Sequence, residues 1–531
     1  MSSEIVETTD VVIVGFGAAG ASAAITAREL GAEVVALDRA NGGGATAISG
    51  GIVYAGAGTA IQRQAGVEDN VEQMLEYLRL ETGDAVSPET LERFVRTSPE
   101  MIEWLQGHGV PFNASLCPYK TSFPNNQYYL YHSGSENAGA FRSQTPPVQR
   151  GHRVHGRGAS GKKLYVPLAR SAQSMGVRLR PHTTVTSLIQ DSDGRVTGVQ
   201  AMTMNFAPQS IRRLYAGLAS LSSKPGVYYP PLRQVAERAL DSLARRYAQP
   251  IRIMARRGVI VCAGGFIANT EWREQHAPEF DGGLPLGTSG DDGSGIALAE
   301  SVGATTQHMD NVSVWRFITP SSALISSIVV NDKGERILDE SRYGAALGRA
   351  MVTEHGGKAW ILADAALMAE AKRQLRTQTL WFQRAQAAVL MFARATKRKS
   401  LAEVARAAGV DPVGLQETVR AHNEAIAAGT ADPVGKPAEF CRPIEQPPFT
   451  LMNISVLPSV LYPTPMLTLG GVRVDEKTGA VLAADDTSIP GLFAAGRTAI
   501  GVCARSYVSG LSIADCVFSG RRAGEAVAAA G

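Results

Sequence analysis

The chain has 531 residues, 44% of them hydrophobic and 19% charged, a globular balance in a length that calls for two or three domains. A net charge of +3 gives no electrostatic case for nucleic acid. The five cysteines (Cys117, Cys262, Cys441, Cys503, Cys516) are odd in number and form no Cys-x-x-Cys pair, which argues against zinc, iron–sulfur and disulfide frameworks. The opening Met1-Ser-Ser-Glu-Ile-Val-Glu lacks the order of a signal peptide, and no run of about 18 apolar residues is present to span a bilayer. A cytoplasmic protein is expected.

In chain order, 10–14 reads as a short buried strand, 18–30 as a helix stopped by Gly31, and 33–38 as a second strand. Residues 68–107 read as helical, and 112–160 as irregular. A helix over 164–175 leads into strands 177–188 and 196–204, joined at Asp193-Gly194. After the stretch 208–257, residues 258–263 read as a buried strand ending in Gly264-Gly265. Residues 308–440 mix short strands with helices near 364–375, 380–396 and 400–427. Residues 466–531 return to Gly-rich turns and apolar strands before a final helix, with Arg521 and Arg522 expected near its start.

The first strand runs into Gly15-Phe-Gly17-Ala18-Ala19-Gly20, a G-x-G-x-x-G turn before a helix. There the first glycine permits the tight bend, the second lets backbone approach a pyrophosphate, and the third lets helix and strand pack closely. The helix N-terminus offers amides to phosphate. Asp38 closes the second strand about 20 residues on, where an acid takes ribose hydroxyls. Strand, helix and acid in this order favour a dinucleotide site over a chance Gly-rich turn. Small residues run from Gly42 to Gly51, and the tail holds a second cluster, Ile489-Pro-Gly-Leu-Phe-Ala-Ala-Gly496-Arg497. Two distant glycine clusters on one long ligand suit FAD better than NAD.

Together these motifs resemble the fumarate reductase and succinate dehydrogenase flavoprotein superfamily. The matching pieces are 15–20, 43–51, Val261-Cys-Ala-Gly-Gly265-Phe, Gly290-Asp-Asp-Gly-Ser-Gly295, Thr468-Leu-Gly-Gly471-Val, 491–497 and Ser509-Gly-Leu-Ser-Ile-Ala-Asp515, which cover most of the chain outside 208–257. The resemblance implies an α/β fold: a Rossmann-like FAD-binding domain from 1–306 and 446–531, interrupted by an α+β substrate-capping domain, 307–445. It implies FAD against Gly15, Gly17, Ala18, Ala19 and Gly20, with Asp38 and Arg39 beside the ribose. It also implies contacts from Gly43, Gly44, Ala45, Thr46, Ser49, Gly50 and Gly51, and from Val185, Ala263, Gly264 and Asp292. From the tail, Gly496 and Arg497 would meet the cofactor, and Ser512 and Ile513 would set amides near the flavin ring. Arg497 stands where the superfamily often has Glu at the ribityl chain. Some members attach FAD through an N-terminal histidine; the first histidine here is His108, so FAD is expected to be non-covalent. His132, His152 and His155 lack ligand spacing, and no metal is expected.

Members acting on succinate or fumarate carry a histidine and an arginine near the tail motif, because the arginine fork pairs with a carboxylate, and another histidine just before Thr-x-Gly-Gly. Here Met466-Leu467 precede Thr468, no histidine follows His422, and Tyr507 stands at the arginine position with Arg505 out of register. A neutral, carbonyl-type substrate is implied. Tyr128-Tyr-Leu-Tyr-His-Ser-Gly-Ser-Glu136, Glu335-Arg-Ile-Leu-Asp-Glu-Ser-Arg-Tyr343-Gly and Arg505-Ser-Tyr507-Val-Ser509-Gly-Leu-Ser are similar to the 3-ketosteroid dehydrogenases, and among them to the branch acting at C4–C5 of 5α-reduced 3-ketosteroids. That implies Tyr343, Tyr507 and Ser509 as catalytic residues. A proton beside a ketone becomes removable when the carbonyl oxygen is hydrogen-bonded as charge develops. Tyr507, helped by the Gly510 amide, is expected to polarise the 3-keto oxygen, and Tyr343 and Ser509 to handle the C4 proton. The C5 hydride would pass to flavin N5, leaving a 4-ene-3-one. Which of Tyr343 and Ser509 is the direct base stays open, since an unperturbed tyrosine titrates near about 10. Tyr119, Tyr128, Tyr129 and Tyr131 read as lining or core, with Tyr129 placed at the substrate. Alternatives are dehydrogenation at C1–C2, a flavin-dependent reductase of an unsaturated carbonyl or acid, and a FAD-holding protein without turnover. No second nucleotide motif offers an NAD site, so a quinone-like acceptor is expected.

Residues 208–257 hold ten basic residues and two acids, Glu237 and Asp241. Leu214, Leu218 and Leu221, then Leu232, Val235, Ala239, Leu243 and Tyr247, have helical spacing. One reading is a solvated helical hairpin or a subunit contact. The other is an amphipathic element facing an anionic membrane, giving a peripheral contact suited to a substrate that partitions into lipid.

Overall fold

A computed structural model describes residues 5–319, 321–459 and 462–530. The strand Ile5–Val14 pairs in parallel with Val34–Asp38 on one side and with Gln249–Val261 on the other. Arg178–Pro181 and Ser488–Ala494 extend this parallel order outward. Val11, Val12 and Ile13 are fully buried, as expected of a parallel strand covered on both faces. One cover is the helix Ala18–Glu29 with Leu511–Ala529 packed on it. A Cβ at Gly520 or Gly524 would stand 2.4 or 2.6 Å from the backbone oxygens of Ala19 and Ala23, so glycine sets how closely these helices approach. Four neighbouring strands end at Val14, Asp38, Val261 and Ala494, where their carboxyl ends open the crevice in which such sheets bind ligands.

The interrupting domain is built on an antiparallel sheet in the order Ile328–Val330, Trp360–Ala363, Phe449–Asn453, Ala395–Arg398, with helices around it. Phe449–Asn453 completes this sheet, so the chain returns to the first domain after that strand and not at 445. Among the described residues, no helix is long and apolar enough to cross a membrane.

Other expected elements are also redrawn. The strand placed at 177–188 is two, Arg178–Pro181 and Thr183–Gln190, broken at His182 with φ +54°. The first joins the parallel sheet, and the second turns to pair antiparallel with Val196–Thr203. The strand placed at 258–263 is the thirteen-residue Gln249–Val261. Arg252, Arg256 and Arg257, counted in the basic stretch, therefore belong to the sheet, where Arg256 pairs with Asp10 at 2.8 Å. The segment 400–427 is two helices separated by Gly409 at φ +76°. The helix placed over 380–396 gives way to the strand Ala395–Arg398. Arg521 and Arg522 lie in the middle of Leu511–Ala529, not near its start.

Candidate active site

Gly15 has φ +94°, and a Cβ there would stand 2.5 Å from Cys262 O; one at Gly20 would stand 2.0 Å from Gly15 O. Protein backbone fills both spaces. Gly17 is different. An added Cβ would meet nothing closer than Thr46 Oγ1 at 3.5 Å, and at Gly44 nothing lies within 4 Å. These open faces at a helix N-terminus fit a pyrophosphate. The Asp38 carboxylate accepts from Phe16 N at 3.0 Å through Oδ2, and from Ala40 N at 2.8 Å and Gly42 N at 3.2 Å through Oδ1. It ties the glycine turn to the turn that follows it, and its remaining lone pairs are those left for ribose hydroxyls. Ala18 N donates to Thr46 Oγ1 at 3.0 Å, which docks the short helix Gly44–Ile48, with Ala45, beside Ala19 and the first helix. Gly51 N donates to Ser49 Oγ at 3.1 Å, and a Cβ at Gly50 would strike the Phe123 ring at 2.7 Å.

Two expected cofactor residues meet each other: Arg39 pairs with Asp292 at 2.8 Å, closing the 289–292 loop on the end of the second strand. Gly264, at φ +88°, donates its amide to Thr498 Oγ1 at 3.1 Å, and Ala263 and Val185 pack in the core beneath. From the tail, Gly496 N donates to Ser519 Oγ at 2.9 Å. The Arg497 side chain does not follow the expectation. Its guanidinium forms a buried pair with Asp291, and its Nη1 is enclosed by protein without a partner. An acid at 497 would repel Asp291, which accounts for arginine here. Ser512 and Ile513 begin the helix Leu511–Ala529, whose cap Gly510 has φ +93°. Phosphate cradle, strand-end acid and helix N-termini from both ends of the chain fit FAD.

Tyr507, Ser509 and Tyr343 come together although 343 lies in the capping domain. Tyr343 and Tyr507 have ring centroids 6.4 Å apart. Burial pushes the Tyr507 phenol well above its ordinary range, and the nearby Gly510 amide opposes that only in part. Burial likewise raises Tyr343, helped by the neighbouring phenols and opposed by the nearby Ser509 hydroxyl. Gly510 is held by Tyr54 N, which donates to its carbonyl at 3.1 Å. A Cβ at 510 would stand 2.7 Å from Ile52 Cγ2.

Sequence reasoning missed Trp315 and Phe317 here and read Tyr131 only as lining or core. Tyr131, fully buried, donates to Ser509 Oγ at 3.4 Å. Trp315 and Phe317 wall the site: Trp315 lies 5.2 Å from the Tyr507 ring and Phe317 5.5 Å from Tyr343. Tyr129, placed at the substrate by sequence, commits its hydroxyl to Asn126 O and Gly156 O under the Arg153 guanidinium. Tyr129 lies just before the short strand Leu130–Tyr131, and it is Tyr131 that reaches Ser509. The segment after Tyr131 clamps the loops that carry Ser509 and Tyr343. Ser133 Oγ donates to Ser509 O at 3.0 Å, Ser509 N donates to Ser133 O at 3.2 Å, and Tyr343 N donates to Ser135 Oγ at 3.2 Å. Arginines near the site are committed elsewhere: Arg505 to Asp84 at 2.9 Å on the surface, and Arg316 to the carbonyls of Ile454, Ser455 and Pro463.

A family model described as an FAD binding domain matches residues 10–510. The 3-oxo-5-alpha-steroid 4-dehydrogenase of Comamonas testosteroni is 36% identical over 498 residues, 92% of this chain and 92% of that protein. A 3-oxosteroid 1-dehydrogenase of Mycolicibacterium smegmatis is 26% identical over 559 residues, 94% of this chain and 93% of that one. The crystal structure of 3-ketosteroid-delta4-(5alpha)-dehydrogenase from Rhodococcus jostii RHA1, in complex with 4-androstene-3,17-dione, superposes with a TM-score of 0.83 at 30% identity, covering 99% of this chain and 98% of that chain. The chain belongs to the FAD-dependent oxidoreductases defined by this domain, in their 3-ketosteroid dehydrogenase group.

Proposed function

We propose that the chain dehydrogenates a 5α-reduced 3-ketosteroid at C4–C5, giving a 4-ene-3-one. One observation carries this reading: the Tyr507 hydroxyl and Gly510 amide converge beside a Ser509–Tyr343–Tyr131 hydroxyl group, inside an aromatic wall where the expected carboxylate-binding arginine is replaced. Bound FAD supplies the two-electron acceptor for the hydride leaving C5. Tyr507 and the Gly510 amide bind the 3-keto oxygen; donors fixed in a water-poor site stabilise the charge that develops there without reorganising. Ser509 Oγ receives the C4 proton. Burial keeps both flanking phenols protonated at neutral pH, so as Ser509 Oγ takes the C4 proton its own proton passes to a flanking phenol oxygen, and that phenol's proton passes out to bulk water. A quinone-like molecule reoxidises the enzyme, which works in the cytoplasm and touches a membrane surface through its helical insertion.

The test is anaerobic mixing of the yellow holoenzyme with 5α-androstane-3,17-dione, following flavin bleaching and identifying the steroid formed. Bleaching with a C4–C5 double bond is expected, and Tyr507→Phe should lower kcat by about 10²–10³-fold with FAD retained. A C1–C2 double bond would transfer the chain to the sister activity. Absence of bleaching would sink the proposal.

A further inference from the structure

The insertion takes no part in this chemistry, yet it is built onto the FAD site. Its ends, Thr203 and Gln249, are direct partners in the antiparallel pair of Val196–Thr203 with Gln249–Val261. A turn of about two to five residues would close such a pair. The chain instead runs through helices Gln209–Ser222, Lys224–Tyr228 and Pro230–Tyr247. They enclose a small core of Met204, Ala207 and Tyr215 with Leu240, Leu243 and Tyr247.

The inner face of the first of these helices meets the turn that follows Asp38. Asn41 Nδ2 donates to Ala216 O at 3.1 Å and to Ser220 Oγ at 3.0 Å. Asn41 Oδ1 bonds His182 Nε2 at 2.7 Å, and the His182 ring meets Tyr215 edge-on at 5.2 Å. His182 N donates to Ala40 O at 3.1 Å. Asn41 thus sits between Ala40 and Gly42, the two residues whose amides hold the Asp38 carboxylate, and its side-chain oxygen and nitrogen are both engaged. Gly42, Gly43 and Gly44 follow, all at positive φ. Left alone, so glycine-rich a turn would sample many shapes, and binding would have to order it.

We propose that the helical insertion is a clamp on the adenosine end of the FAD site: by holding Asn41 it fixes the Asp38–Gly42 turn that receives the adenosine ribose, and so sets how tightly FAD is kept. The proposal rests on the FAD assignment and is independent of the substrate.

Two variants and one control test it on the purified holoprotein. Asn41→Ala removes the hydrogen bonds and leaves the insertion in place. A second variant replaces 205–247 with a short Gly-containing turn, which the Thr203–Gln249 pairing allows. Leu214→Ser changes only the outward face. FAD release is read from the fluorescence of free FAD on dilution, and ADP is titrated into the apoprotein as a probe of the adenosine half. Asn41→Ala should weaken both FAD and ADP by about tenfold, and Leu214→Ser should change neither. FAD and ADP affinities of wild-type strength in Asn41→Ala would overturn the proposal, even if the shortened chain fails to fold. A wild-type chain that bound neither ligand would instead refute the FAD assignment itself.

Discussion

Ser509 is flanked by two phenols that arrive from opposite directions in sequence, Tyr131 from the first domain and Tyr343 from the capping domain. Both are raised by burial, so neither is a resting base. In the proposed mechanism their value lies in accepting and passing a proton, which would make the hydroxyl of Tyr131 as necessary as that of Tyr343. Tyr131→Phe keeps the ring and removes that link. We predict a fall in kcat of about 10–10²-fold with KM for the steroid little changed, measured by steady-state dye reduction; unchanged kcat would show that Tyr131 is only packing. The sequence announces Tyr343, Tyr507 and Ser509 through their motifs, but nothing in it separates Tyr131 from Tyr128 and Tyr129. The distinction is made by a partner 378 residues away.

At the scale of elements, the loop before Tyr507 is held from beneath by the helix Leu511–Ala529. Asp515 Oδ1 accepts from Val502 N at 3.3 Å, and a Cβ at Gly501 would stand 2.0 Å from Oδ2. Burial pushes the Asp515 carboxyl up to about 6, against the Val502 amide and the Arg522 charge. A raised folded pKa means that the native state favours the protonated form. The associated stability is complete below the unfolded carboxylate range of about 4 and is lost as pH rises through about 6. Asp515→Asn keeps an acceptor for Val502 without the charge. It should flatten the decline in thermal midpoint between about pH 4 and 7, leaving the variant more stable than wild type above that window by up to about 3 kcal/mol. Parallel declines in the two proteins would assign the pH dependence to other groups. Elements were legible where apolar runs are unbroken, as at 10–14 and 258–261. The first half of Gln249–Val261 was not, because Arg252 and Arg256 interrupt its run where the strand nears the surface and Arg256 reaches Asp10.

On the whole molecule, the order of the Gly-rich motifs made the split FAD domain and its insert readable, while the face that the 208–257 hairpin turns outward was not. Leu214, Leu218 and Leu221 have the spacing of a buried stripe, yet the buried side is Tyr215, Ala219 and Ser222, whose small neighbours let the helix lie close on Asn41. Leu214, Leu221, Tyr229 and Val235 stay 45–64% exposed, with Arg212, Arg213, Arg238, Arg245 and Arg246 also exposed on these helices. Apolar side chains among arginines on one surface suit the interface of an anionic bilayer, where both terms add and the charge term is screened by salt. We predict that the holoprotein sediments with vesicles containing anionic phosphatidylglycerol and far less with purely zwitterionic ones, and that added salt weakens this capture. Leu214→Ser, Leu221→Ser and Val235→Ser combined should abolish it without loss of bound FAD, because these side chains are exposed and none is among the Asn41 contacts. Undiminished sedimentation of the triple variant would move the membrane contact to another surface. Equal failure of both proteins to sediment would leave the outward face as a solvated surface or a contact between subunits, which the elution volume of the triple variant against wild type would distinguish.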